Sequence, residues 1–255
     1  MSEFDFEGVF DEDYLYFYET FLAERTPEEV EQIVEPFELE PGAEILDCPC
    51  GHGRIANPLT ERGYRVTGLD STELFLERAR ADATNRGVEV EYVHGDMREL
   101  PWRERFDGVL NWFTSFGYFS DEESEAVLRG FHDALKPRGR LVLETQNITR
   151  IMLNAQPIHV VGERDGDLMI DRWTLDPERA RFSTERLVMR DGRARKAHFT
   201  VRFFTVPELR SWLEEAGFEN VRTPGLTPDT RLCRSRRPAL APAAAAAEGE
   251  RNGDD

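Results

Sequence analysis

The residues best suited to chemistry gather in three short runs. The first, Ile45-Leu46-Asp47-Cys48-Pro49-Cys50-Gly51-His52-Gly53-Arg54, leads an apolar strand through an acid and two glycines into a helix. Glycine in such a bend lets the backbone approach a ligand lying across the sheet edge, where a Cβ would collide with it. The second run, Gly68-Leu69-Asp70-Ser71, ends another apolar strand in an acid, at the place where a carboxylate can accept both hydroxyls of a ribose. The third, His94-Gly95-Asp96-Met97, offers an acid for an adenine amino group and a flexible methionine for a purine face.

Gly51-His52-Gly53-Arg54-Ile55-Ala56 also fits the G-x-G-x-x-A pattern of dinucleotide-binding folds, in which a pyrophosphate sits on the helix N-terminus. Asp47, placed before that bend, would repel an anion and tolerate an ammonium or a sulfonium. The acid therefore favours S-adenosylmethionine over NAD. Three acids and a glycine loop, each closing one of three consecutive strands, stand where open α/β sheets bind their ligands. Asn111 opens an aromatic wall, Trp112-Phe113-Thr114-Ser115-Phe116-Gly117-Tyr118-Phe119, suited to a hydrophobic or cationic small molecule. His52, His94 and His159 lie near strand ends, but none sits in a diagnostic pattern, and no general base is assigned.

The elements that must position these residues alternate. Strands are expected at 44–48, 65–70, 88–94, 106–112 and 140–146, with helices between them. Thr26-Pro27-Glu28-Glu29, Ser120 with Glu123, and Thr205-Val206-Pro207-Glu208 each read as a capping box that starts a helix. This βαβ order predicts a doubly wound, mainly parallel α/β sheet of Rossmann-like type. Between about 158 and 205 the pattern changes to β segments punctuated by Asp165-Gly166, Asp176-Pro177 and Asp191-Gly192, an antiparallel insertion serving as lid or dimer surface. The chain divides into an N-terminal arm and helix (1–40), a cofactor-binding core (41–157), the insertion (158–205), the rest of the core (206–237), and an alanine- and acid-rich tail (238–255) expected to be disordered.

The chain of 255 residues carries 50 acidic side chains and a net charge of −18, and Lys136 and Lys196 are its only lysines. Such a field repels nucleic acid and suits a salt-rich, halophilic cytoplasm. The acidic N-terminus and the lack of a long apolar run point away from export and from a membrane, hence to a cytoplasmic protein. With three cysteines there is neither a disulfide framework nor a zinc site, so no metal is expected.

Together these motifs resemble the class I S-adenosylmethionine-dependent methyltransferases, in the group of the type 11 and type 25 methyltransferase domains. The resemblance covers residues 10–222 and rests on Ile45 to Arg54, Tyr64 to Ser71, Gly95 to Met97, Phe106 to Phe113, and the turn Leu135 to Arg140. It implies methyl transfer to a small molecule, with Asp47, Gly51 and Gly53 (beside Cys48) at the methionine part of the cofactor and Asp70, next to Ser71, at the ribose. Asp96 and Met97 would hold the adenine, Asn111 and Trp112 the floor beside the sulfonium, and Tyr14 or Tyr18 would close over it. The Asn-Pro-Pro-Tyr pattern of enzymes similar in fold that methylate nucleobase amino groups is absent. A nicotinamide-dependent oxidoreductase and a non-catalytic binding module remain as alternatives, and a homodimer is compatible. Pro49 and Arg138 stand where relatives carry glycine. Arg231-Leu232-Cys233-Arg234-Ser235 is too polar for a convincing buried last strand, which leaves either an incomplete sheet edge or a tail altered relative to relatives.

Overall fold

The computed structural model describes residues 4–146, 148–153, 156–223 and 230–238. Five strands pair in parallel: β1 (Glu44–Asp47), β2 (Arg65–Asp70), β3 (Glu91–His94), β4 (Phe106–Asn111) and β5 (Leu135–Gln146), in the spatial order β3-β2-β1-β4-β5. The order reverses beside β1, which opens a crevice at the carboxyl ends of β1 and β4. Side chains alternate between two buried clusters. Ile45, Leu110 and Val142 join Ile33, Phe37 and Leu59 on one face, while Leu46, Val109, Leu141 and Leu143 join Phe131, Leu213 and Phe218 on the other. A sheet buried on both faces is what the parallel arrangement demands.

Two of the three expected capping boxes form. Ser120 and Glu123 form a reciprocal capping box at the start of α5 (Asp121–Ala134), as do Thr205 and Glu208 before α7 (Val206–Glu215). The preceding helices of the core are α3 (Ala56–Glu61) and α4 (Glu73–Arg86), and a short α6 (Ile148–Leu153) follows β5. The exception is Thr26-Pro27-Glu28-Glu29. After a short α1 (Phe6–Val9), a single helix α2 (Glu12–Phe37) runs straight through this box, and its N-cap is Asp11, which accepts from the N–H groups of Asp13 and Tyr14. The Thr26 hydroxyl donates to the Leu22 carbonyl instead of capping. Burial of Leu22, Val30, Ile33 and Phe37 along one side overrides the local start signal.

The last strand also corrects the sequence reading. β11 (Thr230–Arg236) pairs antiparallel with β5 from Thr230 opposite Gln146 to Arg236 opposite Arg140, and β10 (Glu219–Arg222) pairs outside it. The sheet is therefore a complete seven-stranded one. Ladder bonds join backbone groups, which the polarity of Arg231 to Ser235 does not report.

The insertion is a separate four-stranded antiparallel meander of β6 (Ile158–Arg164), β7 (Asp167–Asp176), β8 (Arg181–Arg190) and β9 (Arg193–Arg202). Asp165-Gly166 and Asp191-Gly192 both carry positive φ at each residue, as two-residue hairpin turns require. Arg195 holds this sheet to the N-terminal arm by donating to Asp13 at 2.7 Å, to the Gly8 carbonyl at 2.9 Å, and to Asp11. The expected disordered tail falls outside the described residues except at Pro238. Among the described residues no helix is long and apolar enough to cross a membrane, and no cluster of metal-ligating side chains occurs.

Candidate cofactor and acceptor site

The bend after β1 is built by backbone bonds to its neighbours. Cys48 N–H donates to Leu110 O and Cys50 N–H to Leu69 O, both at 2.9 Å, which draws the chain across the ends of β4 and β2. Gly51 then turns with φ +54°, in open space, and its N–H donates to Asp70 Oδ2 at 2.8 Å. The other oxygen of Asp70 accepts from Thr72 N–H at 2.9 Å. One carboxylate thus locks the first bend to the second.

A chamber of about 320 Å³ lies over these strand ends. Its lining includes Asp47, Gly51, Asp70, Ser71, Asp96, Met97, Trp112 and Tyr14, so eight of the twelve residues expected from sequence meet in one hollow. Cys48, Gly53 and Asn111 do not line it. Gly53 serves packing, because a Cβ there would strike the Tyr92 hydroxyl and come within 2.8 Å of Ala79 Cβ. Asn111 holds the bend from behind, donating to Cys48 O at 2.8 Å. Tyr18 lines the neighbouring chamber instead.

The electrostatics of the smaller chamber centre on Asp47. It is 2% exposed, and its Oδ2 has no hydrogen-bond partner among the described residues. Burial pushes its carboxyl up to about 8; Arg54 opposes that shift and Asp70 adds to it. An unpaired buried carboxylate is costly unless a cation or a proton meets it, and the ammonium of an amino-acid moiety answers that need. Asp70 is likewise raised by burial, against the two backbone bonds it accepts. Asp96 differs: burial opposes its ionisation, but the Arg98 fork, with Nη2 at 2.6 Å, holds it below the ordinary value. His52 lines the same hollow, and burial with help from Arg54 lowers it to about 4, so its imidazole is neutral at pH 7.

A second chamber of about 600 Å³ lies between the sheet edge and the insertion. Phe10, Tyr14, Trp112, Phe113 and Tyr118 line both chambers and form a common wall. Behind it Glu29 Oε2 accepts from Arg54 Nη1 at 2.5 Å and from Trp112 Nε1 at 3.2 Å, which fixes the indole. Glu144, at the end of β5, lines the larger chamber and is 4% exposed. Its Oε2 accepts from Thr114 N–H at 2.7 Å. Burial raises its carboxyl to about 7, against the backbone bond from Thr114, with Glu29 adding to the shift.

Sequence reasoning passed over Glu144, although the signal was there: an acid closes the apolar run Leu141-Val142-Leu143, just as Asp47 and Asp70 close theirs. Arg186 and Asp171, a buried pair on the insertion that also lines this chamber, carry no such signal. Their pairing depends on strand register alone.

Residues 45–139 match the model of a methyltransferase domain. The match identifies a methyltransferase domain in this chain, and the fold is that of the class I S-adenosylmethionine-dependent methyltransferases. The cofactor of methyltransferases of this fold is S-adenosylmethionine, and the orphaned Asp47 carboxylate beside Asp70 and Asp96 fits it better than it fits a pyrophosphate. The chain is 30% identical over 185 residues to the ubiquinone biosynthesis O-methyltransferase of Ruegeria pomeroyi, a match that covers 72% of this chain and 63% of that relative. In fold it is similar to the methyltransferase CcbJ of Streptomyces caelestis, with TM-score 0.72 and 22% identity over 84% of this chain and 90% of that one. It is also similar to an amino pentose methyltransferase of Micromonospora echinaspora solved with S-adenosylmethionine bound, with TM-score 0.64 and 21% identity over 90% and 99% of the two chains.

Proposed function

We propose that this chain transfers a methyl group from S-adenosylmethionine to a small-molecule acceptor held in the 600 Å³ chamber. The observation that carries the reading is the common wall: the chamber with the orphaned Asp47 adjoins an aromatic-lined one through Tyr14, Trp112 and Phe113. The names of the relatives support it, since one acts in ubiquinone biosynthesis and another on an amino pentose.

When bound, the cofactor supplies a methyl group on a sulfonium, an excellent leaving group. Asp47 would take the ammonium, the open side of Gly51 would admit the methionine backbone, Asp70 with Ser71 would receive the ribose, and Asp96 with Met97 the adenine. Trp112 and Tyr14 border both compartments, and their rings exclude water where the two meet. The protein's main task is to hold the nucleophile in line. Glu144 supplies the remaining one: its carboxylate accepts the proton that the acceptor's nucleophilic atom sheds as it gains the methyl.

Calorimetry with S-adenosylhomocysteine and with NAD tests the cofactor. Binding of the first and not the second is expected, and the reverse would overturn the reading. The acidic surface further supports an acceptor other than nucleic acid and a salt-rich cytoplasmic setting, and the insertion offers a face for a homodimer. Light scattering of the full chain tests the dimer. Refolding yield against salt tests the setting, and full stability in dilute buffer would count against it.

A further inference from the structure

Arg186, which lines the acceptor chamber, carries a buried donor with no partner among the described residues. Arg186 on β8 is 4% exposed and lines the chamber together with Asp171 on β7. Its Nε and Nη2 donate to the two oxygens of Asp171 at 2.8 Å each, and Nη2 also reaches the Tyr18 hydroxyl at 3.2 Å. Its Cζ stands 5.1 Å from the Phe199 ring centroid and 5.7 Å from that of Tyr18. Nη1 is buried and makes no hydrogen bond with any described residue. The guanidinium is planar, so the edge occupied by Asp171 leaves Nη1 on the far side of the fork.

We infer that Arg186 Nη1 reads an uncharged oxygen, a carbonyl or a hydroxyl, on the methyl acceptor. The charge of Arg186 is already balanced by Asp171, so what the free N–H lacks is a lone pair and not a counter-ion. The remaining charged groups of the chamber argue the same way. Glu29 is paired with both Arg25, at 3.1 Å, and Arg54, at 2.5 Å, and Asp171 with Arg186, so Glu144 is the carboxylate of this wall with no ion-pair partner among the described residues. A carboxylate on the acceptor would stand near the uncompensated Glu144, whereas an amine as nucleophile would be favoured there. Glu144 belongs to the central sheet and Arg186 to the insertion, so one molecule spanning the hollow meets both. The acceptor class is thus an aromatic or apolar amine that carries a neutral oxygen away from its nitrogen. Tyr18, fixed by Arg186, acts as a positioning residue on this subsite.

This inference rests on the larger chamber being the acceptor's, and the test separates the two claims. The full chain, saturated with S-adenosylhomocysteine, is titrated by calorimetry with three probes of similar size: para-(aminomethyl)benzamide, para-methylbenzylamine and para-(aminomethyl)benzoate. The benzamide should bind roughly tenfold more tightly than the methyl probe, as one hydrogen bond to a charged donor implies, and the benzoate no more tightly than the methyl probe. The double variant Arg186→Met/Asp171→Leu removes the pair as a unit and so avoids stranding one charge. It should keep its affinity for S-adenosylhomocysteine while the gap between benzamide and methyl probe shrinks to about twofold or less, a loss of most of one charged hydrogen bond. Arg186→Lys, which keeps the charge opposite Asp171 and loses the fork, should close the gap equally. Equal binding of the two probes, tightest binding of the benzoate, binding of none, or a gap that survives either variant would overturn the inference. Loss of S-adenosylhomocysteine binding by the unaltered chain would instead overturn the proposed function.

Discussion

The backbone N–H of Thr114 donates to Glu144 Oε2 at 2.7 Å, which ties the loop after β4 to the end of β5. Phe113 and Thr114 both have positive φ, at 60° and 58°, a region that side chains other than glycine's rarely occupy. Such a residue costs about 1–3 kcal/mol and persists only where its surroundings determine it. Here the strained pair sets an aromatic ring on the common wall and a carboxylate on the acceptor side.

Glu144→Gln should therefore lower kcat by about 10²–10⁴-fold with little change in cofactor affinity, the usual range for loss of a general base. The pH dependence has a defined sign. The ionised form is the base and burial raises the group to about 7, so kcat/KM should rise between about pH 6 and 8 and then level off. Steady-state rates across that range, compared with the variant, check both statements. An identical profile in Glu144→Gln would remove Glu144 from the reaction.

Asp47 should couple cofactor binding to proton release. With its carboxyl at about 8 it is protonated at pH 7, and an ammonium drawn against it displaces that proton. Calorimetric enthalpies of S-adenosylhomocysteine binding should therefore differ between phosphate and Tris buffers, reporting up to about one proton released, and Asp47→Asn should abolish the difference. The same shift acts on folding. The native state favours the protonated acid, so this contribution to stability is fullest below the ordinary value of 3.8 and is lost as the pH rises through about 8. Denaturant melts of the ligand-free protein should show that decline, and Asp47→Asn should flatten it.

Asp70 bonds both Gly51 N–H and Thr72 N–H, so its loss should loosen two bends at once. Asp70→Ala should weaken S-adenosylhomocysteine binding by about 100-fold or more, the equivalent of two charge-assisted hydrogen bonds or one with reorganisation. Asp70→Asn should weaken it less. Titration of both variants decides, and unchanged affinity in the alanine variant would place the ribose elsewhere.

Glu29 and Arg54 are a buried ion pair, with side chains 6% and 9% exposed. Removing one partner leaves the other charged without compensation, and Glu29→Ala should cost about 3–5 kcal/mol in urea unfolding. The indole of Trp112 should also lose its anchor, visible as a change in its fluorescence.

Much of this was legible in the chain because two signals coincide in it. Asp47, Asp70 and Asp96 each follow an apolar strand, and parallel strands deliver their ends to a common rim, so sequence spacing becomes spatial convergence. Glu144 obeyed the same rule but lay beyond the recognised motifs. Gly53 looked like Gly51 in sequence, and only its neighbours Tyr92 and Ala79 show that it serves packing. Thr26 misled because a capping box is local information, while the continuity of α2 is set by what its far side buries. Arg186 was out of reach: it sits between Glu185 and Leu187 on a strand whose register is fixed by pairing with β7 and β9. Side-chain polarity gave the wrong expectation for β11, where the backbone ladder with β5 decides.

The antiparallel meander has one more consequence. Every residue of the cofactor chamber lies at or before Phe119, whereas Asp171, Trp173, Phe182, Arg186 and Phe199 of the larger chamber fall within a single uninterrupted stretch, Ile158 to Arg202. The insertion's side of the larger chamber is thus written in one passage of the gene, while Tyr14, Trp112 and Phe113 of the wall shared with the cofactor chamber are written outside it. Mutation can rewrite the ceiling of one room without disturbing the machinery in the next, and exchanging that stretch between relatives offers a direct way to change what gets methylated.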